Sequence, residues 1–190
     1  MHGFPDFSYL WRAQLSYFSE QCRVITPDLL GFNLSPKSAN LQDYQLDNLV
    51  ENLYEFIQSL NVDDEKISLV GHDWGGLLAW SFAMHYPELL EKLIIINAPH
   101  PIAFAKLLAE NEAQQEASAY VKFLLQDNAA SLLKANNYLG MKIGVLKRGM
   151  QEGWITENDV IAYEQAWSQD NAVECMLNYY KASFQVNDDK

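Results

Sequence analysis

Residues 70–76 read Val-Gly-His-Asp-Trp-Gly-Gly, with Gly71 and Gly75 bracketing Asp73. The run before it, KISLV at 66–70, is short and apolar; the run after it, GGLLAWSFAM at 75–84, is rich in small and apolar residues. A buried strand, a tight turn and a helix are predicted in that order. The spacing G-x-D-x-G in that setting is that of a nucleophile elbow, whose glycines let a sharp turn lift one side chain above a sheet. Alone, an aspartate between glycines is more often a turn residue. The strand and helix on either side favour the elbow.

Working outward, residues 43–60 form an amphipathic helix, with Leu46, Leu49, Val50, Leu53, Ile57 and Leu60 on one stripe. Residues 8–21 read as a helix that Ser8 can cap, and CRVIT at 22–26 as a short β-rich run ended by Pro27-Asp28. Residues 29–42 are a turn-rich loop. Residues 93–96 are another apolar strand, ending at Asn97-Ala98-Pro99. Strands alternating with helices predict a mostly parallel sheet flanked by helices, and its strands are continuous apolar runs because both faces are buried. After Pro101 no strand-like run follows. Residues 102–126, 128–139, 156–168 and 170–184 read as helix, Thr156 and Asp159 form a capping box, and the tail VNDDK is expected to fray. The division is residues 1–99 as α/β core and 100–190 as helical unit.

The 190 residues suit one domain, or one domain with an insertion, and 49% hydrophobic content suffices for a packed core. The net charge of −12 argues against nucleic acid and anionic membranes as partners. Cys22 and Cys175 make neither a disulfide framework nor a metal-site spacing, and fit a reducing compartment. The first residues lack a signal-peptide pattern, and no apolar stretch reaches the ~20 residues of a membrane span. A cytoplasmic location is expected. Asp28 is read as a buttress of its loop, the acidic residues between 43 and 65 as a solvated helix face and loop, and Asp127, Asp159 and Asp170 as helix-end residues.

A carboxylate at the elbow changes the chemistry. A serine that attacked a saturated carbon would leave an ether, which water cleaves poorly. A carboxylate leaves an ester on the enzyme, and water can then attack the enzyme's own carbonyl. That second step needs an oxyanion hole, supplied by the Trp74 N–H and by a loop such as His2-Gly3-Phe4-Pro5 through the Phe4 N–H.

The segments HGFPDFSYLWRAQ, DLLGFNLSPK, LVGHDWGG and NAPHP, within residues 2–101, occur in the order and rough spacing of the epoxide hydrolases of the α/β-hydrolase superfamily. The helical unit resembles that family's cap, with ASAYVKF at 117–123 and LNYYKA at 177–182. The resemblance implies an α/β-hydrolase fold with an α-helical cap. It implies Asp73 as alkylating nucleophile and Phe4 and Trp74 as oxyanion donors. His2, Gly3, Pro5, Gly71, His72 and Gly75 shape the supporting loops. Tyr180, with Tyr120 as second phenol, hydrogen-bonds the epoxide oxygen. By default each tyrosine is a half-buried packing residue. The implied reaction opens a small apolar epoxide with water to a diol and needs no metal or organic cofactor. Leu30 and Asn33 depart from the pattern, standing where the family often has arginine and glycine. Dehalogenases with the same nucleophile are the alternative. The haloalkane enzymes differ before the aspartate and lack the paired tyrosines, and the fluoroacetate enzymes carry arginine where Trp74 stands.

The resemblance also implies an acid and a histidine after the cap. The four histidines are His2, His72, His85 and His100, and none follows the cap. The chain also begins at the oxyanion loop. A partial sheet, a fragment and slow or absent turnover are expected, with a non-catalytic chain that needs a partner as a further alternative.

Overall fold

The computed structural model describes residues 1–60 and 66–184. The first helical element is a 3-10 turn, Ser8–Trp11, continued by α1, Arg12–Phe18. The expected helix over 8–21 is thus shorter, and Ser8 does not cap it with its side chain. Instead Asp28 accepts the Ser8 N–H at 2.6 Å and the Asn33 side-chain amide at 2.8 Å. One carboxylate thereby satisfies an orphan helix donor and pins the loop, so Asp28 is a buttress.

CRVIT is not a strand: the described residues contain one sheet, two-stranded and parallel. Its β-rich composition finds no ladder partner, and composition without pairing does not make a strand. The helix expected over 43–60 is present as a 3-10 turn, Leu41–Tyr44, followed by α2, Leu46–Ser59, which buries Leu49, Val50, Leu53 and Ile57. The acidic loop at 61–65 and the fraying expected of VNDDK lie outside the described residues.

β1, Ile67–His72, runs parallel to β2, Leu90–Ile96, and α3, Trp74–His85, connects them. The register pairs Val70 with Ile94 and His72 with Ile96. The Asp73 N–H donates to Ile96 O at 3.3 Å, while the His72 N–H donates to Met1 O at 3.0 Å. The amides of adjacent strand residues face opposite edges. Met1 therefore lies along the edge of β1 away from β2, and the residues that follow it are delivered to the elbow.

Beyond β2 the described chain is helical. The helix expected over 102–126 is three: α4, Pro101–Glu110; α5, Glu112–Ala117; and α6, Tyr120–Leu124. Asn111 makes the first break by capping α5, accepting the Gln114 N–H at 2.9 Å. α7, Ala129–Met141, is interrupted over 135–138, where Asn136, Asn137 and Tyr138 take left-handed φ values of 50°, 54° and 59°. A π-helical stretch, Lys142–Leu146, and α8, Lys147–Glu152, follow; neither was expected. α9, Glu157–Trp167, starts with the expected Thr156–Asp159 capping box. α10, Ala172–Phe184, closes the order and buries Tyr179 and Tyr180.

The helical half is not a separate layer. Tyr179 packs edge-on against Phe32 and Tyr44, with centroids 5.4 Å away in both cases, and its hydroxyl donates to Leu30 O at 3.0 Å. Asp159 accepts from Tyr9 at 2.8 Å and pairs with Arg12 at 3.1 Å. These contacts set where the helices stand over the elbow.

Candidate active site

Asp73 is the residue between β1 and α3, with φ 53° and ψ −122°. A non-glycine residue there is strained, and the turn is over-determined by close packing around it. A Cβ on Gly71 would lie 2.2 Å from Gly75 O, and one on Gly75 2.2 Å from His2 O. The two glycines that suggested an elbow are therefore the points where three backbone segments touch. Gly3 is as tight, and faces the chemistry, since a Cβ there would lie 2.2 Å from Asp73 Oδ1.

Gly3's bareness lets the next amide approach. The Phe4 N–H donates to Asp73 Oδ1 at 2.7 Å. The Trp74 N–H also favours the ionised carboxyl, more weakly, and without a side-chain hydrogen bond of good geometry. Burial pushes the Asp73 pKa above the usual aspartate range, and the two amides pull it back.

Above the carboxyl lies a cleft of about 430 Å³, whose lining includes Phe4, Asp73, Tyr120, Met141, Val145 and Tyr180. Tyr180 is 3% exposed and stands edge-on to Phe4, Trp74 and Tyr120, with centroids at 5.4, 5.1 and 6.4 Å. Its neighbour Tyr179 points the other way, toward Leu30, so the two adjacent tyrosines divide between cleft and core. Burial and then the Asp73 charge raise the pKa of both cleft phenols. Each stays a neutral donor at neutral pH.

Sequence reasoning missed one wall of the cleft, which includes Leu124, Leu133, Gly140 and Gly144. A Cβ at Gly140 or Gly144 would meet nothing within 4 Å. Gly144 belongs to the π-helical stretch, a conformation that recurs at functional sites. A larger depression of about 1030 Å³ lies between the 27–38 loop and α2. None of the predicted site residues lines it, so volume alone does not identify the reacting centre.

The supporting residues separate by role. His2 is wholly buried, its Nε2 accepts the Leu29 N–H at 3.0 Å, and its Nδ1 lies 3.1 Å from Gly3 O. Burial lowers its pKa to about 4, so the ring is neutral and acts as a two-sided spacer, with the proton assigned to Nδ1. Pro5 O and the Asp6 side chain accept from the helical half. His72 leaves a buried Nδ1 without a partner. His85 bonds Ser81 O at 2.8 Å, and His100 packs on Trp80. No group of three or more His, Cys, Asp or Glu side chains among the described residues could hold a metal ion.

A strained acidic residue at a strand–helix elbow, with a backbone amide on its carboxyl, defines the chain as an α/β hydrolase with a carboxylate at the elbow. Comparison gives the family: residues 1–139 match the alpha/beta hydrolase fold family, and the chain belongs to it. It is 39% identical over 186 residues to the AB hydrolase superfamily protein YfhM of Bacillus subtilis, covering 96% of this chain and 63% of that protein. It is 35% identical to epoxide hydrolase 4 of Mus musculus, covering 97% and 52% respectively. An epoxide hydrolase of Bacillus megaterium, solved with an inhibitor, superposes with a TM-score of 0.89 at 39% identity over 95% of this chain and 63% of that one. The chain thus spans roughly half to two thirds of the length of these relatives.

Proposed function

We propose that this chain carries the alkylating half of an epoxide hydrolase, with Asp73 as nucleophile and Tyr180 and Tyr120 as acids. The observation that carries it is the Phe4 N–H on Asp73 Oδ1 at 2.7 Å, beneath a cleft lined by both phenols. Oδ1 is held, which leaves Oδ2 to attack an epoxide carbon. As the new C–O bond forms, the ring C–O bond breaks, and the departing oxygen takes a proton from a tyrosine. Oδ1 is then the ester carbonyl oxygen. When water attacks that carbon, the developing charge falls on the atom already bonded to Phe4, and loss of the diol restores the carboxylate. The helices after Pro101 serve as the cap that closes over this cleft, and the substrate is a small apolar epoxide.

The second step needs a base. His2, His85 and His100 are each engaged elsewhere. His72 is the elbow residue before Asp73, and its buried Nδ1 bonds to nothing. With His2, His85 and His100 engaged and no contact among the described residues aiming His72 at the Asp73 carboxyl, the ester is expected to accumulate, which makes it measurable. Intact mass before and after incubation with styrene oxide tests the proposal. Gain of one substrate mass, mapped to the Asp73 peptide and absent in Asp73→Asn, supports it. No gain, or equal gain in both proteins, refutes it. Halide displacement needs no acid, so labelling by an alkyl halide that survives Tyr180→Phe, with none by the epoxide, would favour the dehalogenase alternative.

A further inference from the structure

The turn that carries the Phe4 amide is anchored from outside the cleft. It spans residues 3–6 and is closed by the Asp6 N–H on Gly3 O at 2.9 Å. Its inner side presents the Phe4 N–H to Asp73. Its outer side is gripped by a single helix. Trp167 Nε1–H donates to Pro5 O at 2.7 Å, and the Tyr163 hydroxyl donates to Asp6 Oδ1 at 2.7 Å.

The donors are four residues apart, so they share one face of α9. Both are about 2% exposed, and neither lines the cleft. Asp6 is 8% exposed. Buried acceptors of this kind are costly to leave unpaired, so the turn and α9 are held in fixed register. Tyr163 is itself fixed edge-on against Phe7 and tilted against Trp167, with centroids 5.2 and 5.5 Å away. α9 is tied to the start of the first helical element through Asp159, which holds Tyr9 and Arg12.

We infer that Tyr163 and Trp167 are positioning residues for the nucleophile's amide donor: through Pro5 and Asp6, helix α9 fixes where the Phe4 N–H meets Asp73. This rests on the alkylation reading above. It also means that the helical half does more than wall the substrate in. A displacement of α9 carries the turn with it and slackens the bond to Asp73, so attack is supported only while the helices are seated.

Single-turnover labelling by styrene oxide tests this in wild type, Trp167→Phe, Tyr163→Phe and the double variant. Phenylalanine removes each donor and keeps most of the packing. Misplacing a catalytic group by about an ångström can cost about a hundredfold. The expected result is a fall of about tenfold or more in the labelling rate constant at saturating epoxide. The half-saturating concentration and the final labelled fraction should stay unchanged. A merely structural role would instead lower the labelled fraction and leave the rate constant of the folded molecules alone; that result, or no change at all, overturns the inference. Hydrogen exchange at the Phe4 amide reads the same contact without chemistry. Faster exchange at Phe4, with protection kept in α3, supports the inference, and unchanged exchange overturns it. If wild type takes no label, alkylation fails while the exchange result still decides the anchoring.

Discussion

At the residue scale, Asp73 combines two costs, a left-handed φ of 53° and a buried charge. Asparagine keeps nearly the same shape, so it leaves the backbone cost in place and removes only the charge. Asp73's pKa in the folded chain lies above its unfolded value, so the folded state holds the proton more tightly. That contribution favours folding at low pH and is lost as pH rises through the folded pKa. Asp73→Asn is therefore expected to abolish labelling yet raise Tm at neutral pH. The difference should shrink as pH falls below the ordinary aspartate range, as thermal melts across pH will show. The labelling rate itself should fall on acidification with an apparent pKa above that of a free aspartate. For the acids, Tyr180→Phe should slow labelling by about a hundredfold or more, the usual weight of a positioned proton donor. Tyr120 is 56% exposed and should matter less. The aspartate was legible because glycine spacing and flanking runs are local signals. The choice of Tyr180 over Tyr179 rested on resemblance, since a YY pair on a helix has no periodicity that assigns one ring to a cleft. Tyr163 and Trp167 were invisible, because their partners lie 157 and 162 residues away in sequence.

At the scale of elements, the elbow is a junction of three backbone segments, and Gly3 is the glycine whose added Cβ would meet the Asp73 carboxylate. Gly3→Ala should suppress labelling strongly while the Asp73 backbone survives, because the added methyl must displace either the carboxylate or the Phe4 turn. Labelling kinetics beside a denaturant melt will separate loss of function from loss of fold. The start of α9 allows a cleaner energetic test. Thr156→Ala removes one cap acceptor and should cost ~1 kcal/mol. Asp159→Ala should cost more, since the same carboxylate also holds Tyr9 and Arg12. Urea unfolding of both variants checks the order. Elements with strong local signatures were legible: α2 by its apolar stripe, β1 and α3 by their contrast, α9 by its capping box. CRVIT was not, because strand propensity is realised only by a neighbour. The break at Asn111 had a signal, asparagine three residues before Gln114, that the apolar periodicity around it masked. The π-helical stretch and α8 carry Gly144 and Gly149, with Gly140 just before them at the end of α7, and these glycines dilute any helical pattern.

For the whole molecule, charge and apolar surface oppose each other. The net charge of −12 repels copies. Yet Ile94 and Ile96 on β2 are 46% and 39% exposed, and Leu15 and Phe18 on α1 are exposed as well. Salt screens the first effect and not the second. Self-association is expected to strengthen from low to moderate salt in sedimentation experiments, and Ile94→Lys with Ile96→Lys should reverse it without altering labelling. Association that weakens with salt would contradict this balance.

The two glycines that face empty space carry a consequence for handedness. In the proposed reaction the carboxylate and the phenols would define where an oxirane's carbon and oxygen lie, and would treat mirror-image epoxides almost alike. What separates the two enantiomers is where the substituent goes, and at Gly140 and Gly144 there is room for it. A methyl added at either position would meet no neighbour within 4 Å, so substitution there is expected to shift stereochemical preference without touching an atom that reacts, as the enantiomer ratio of labelling will show.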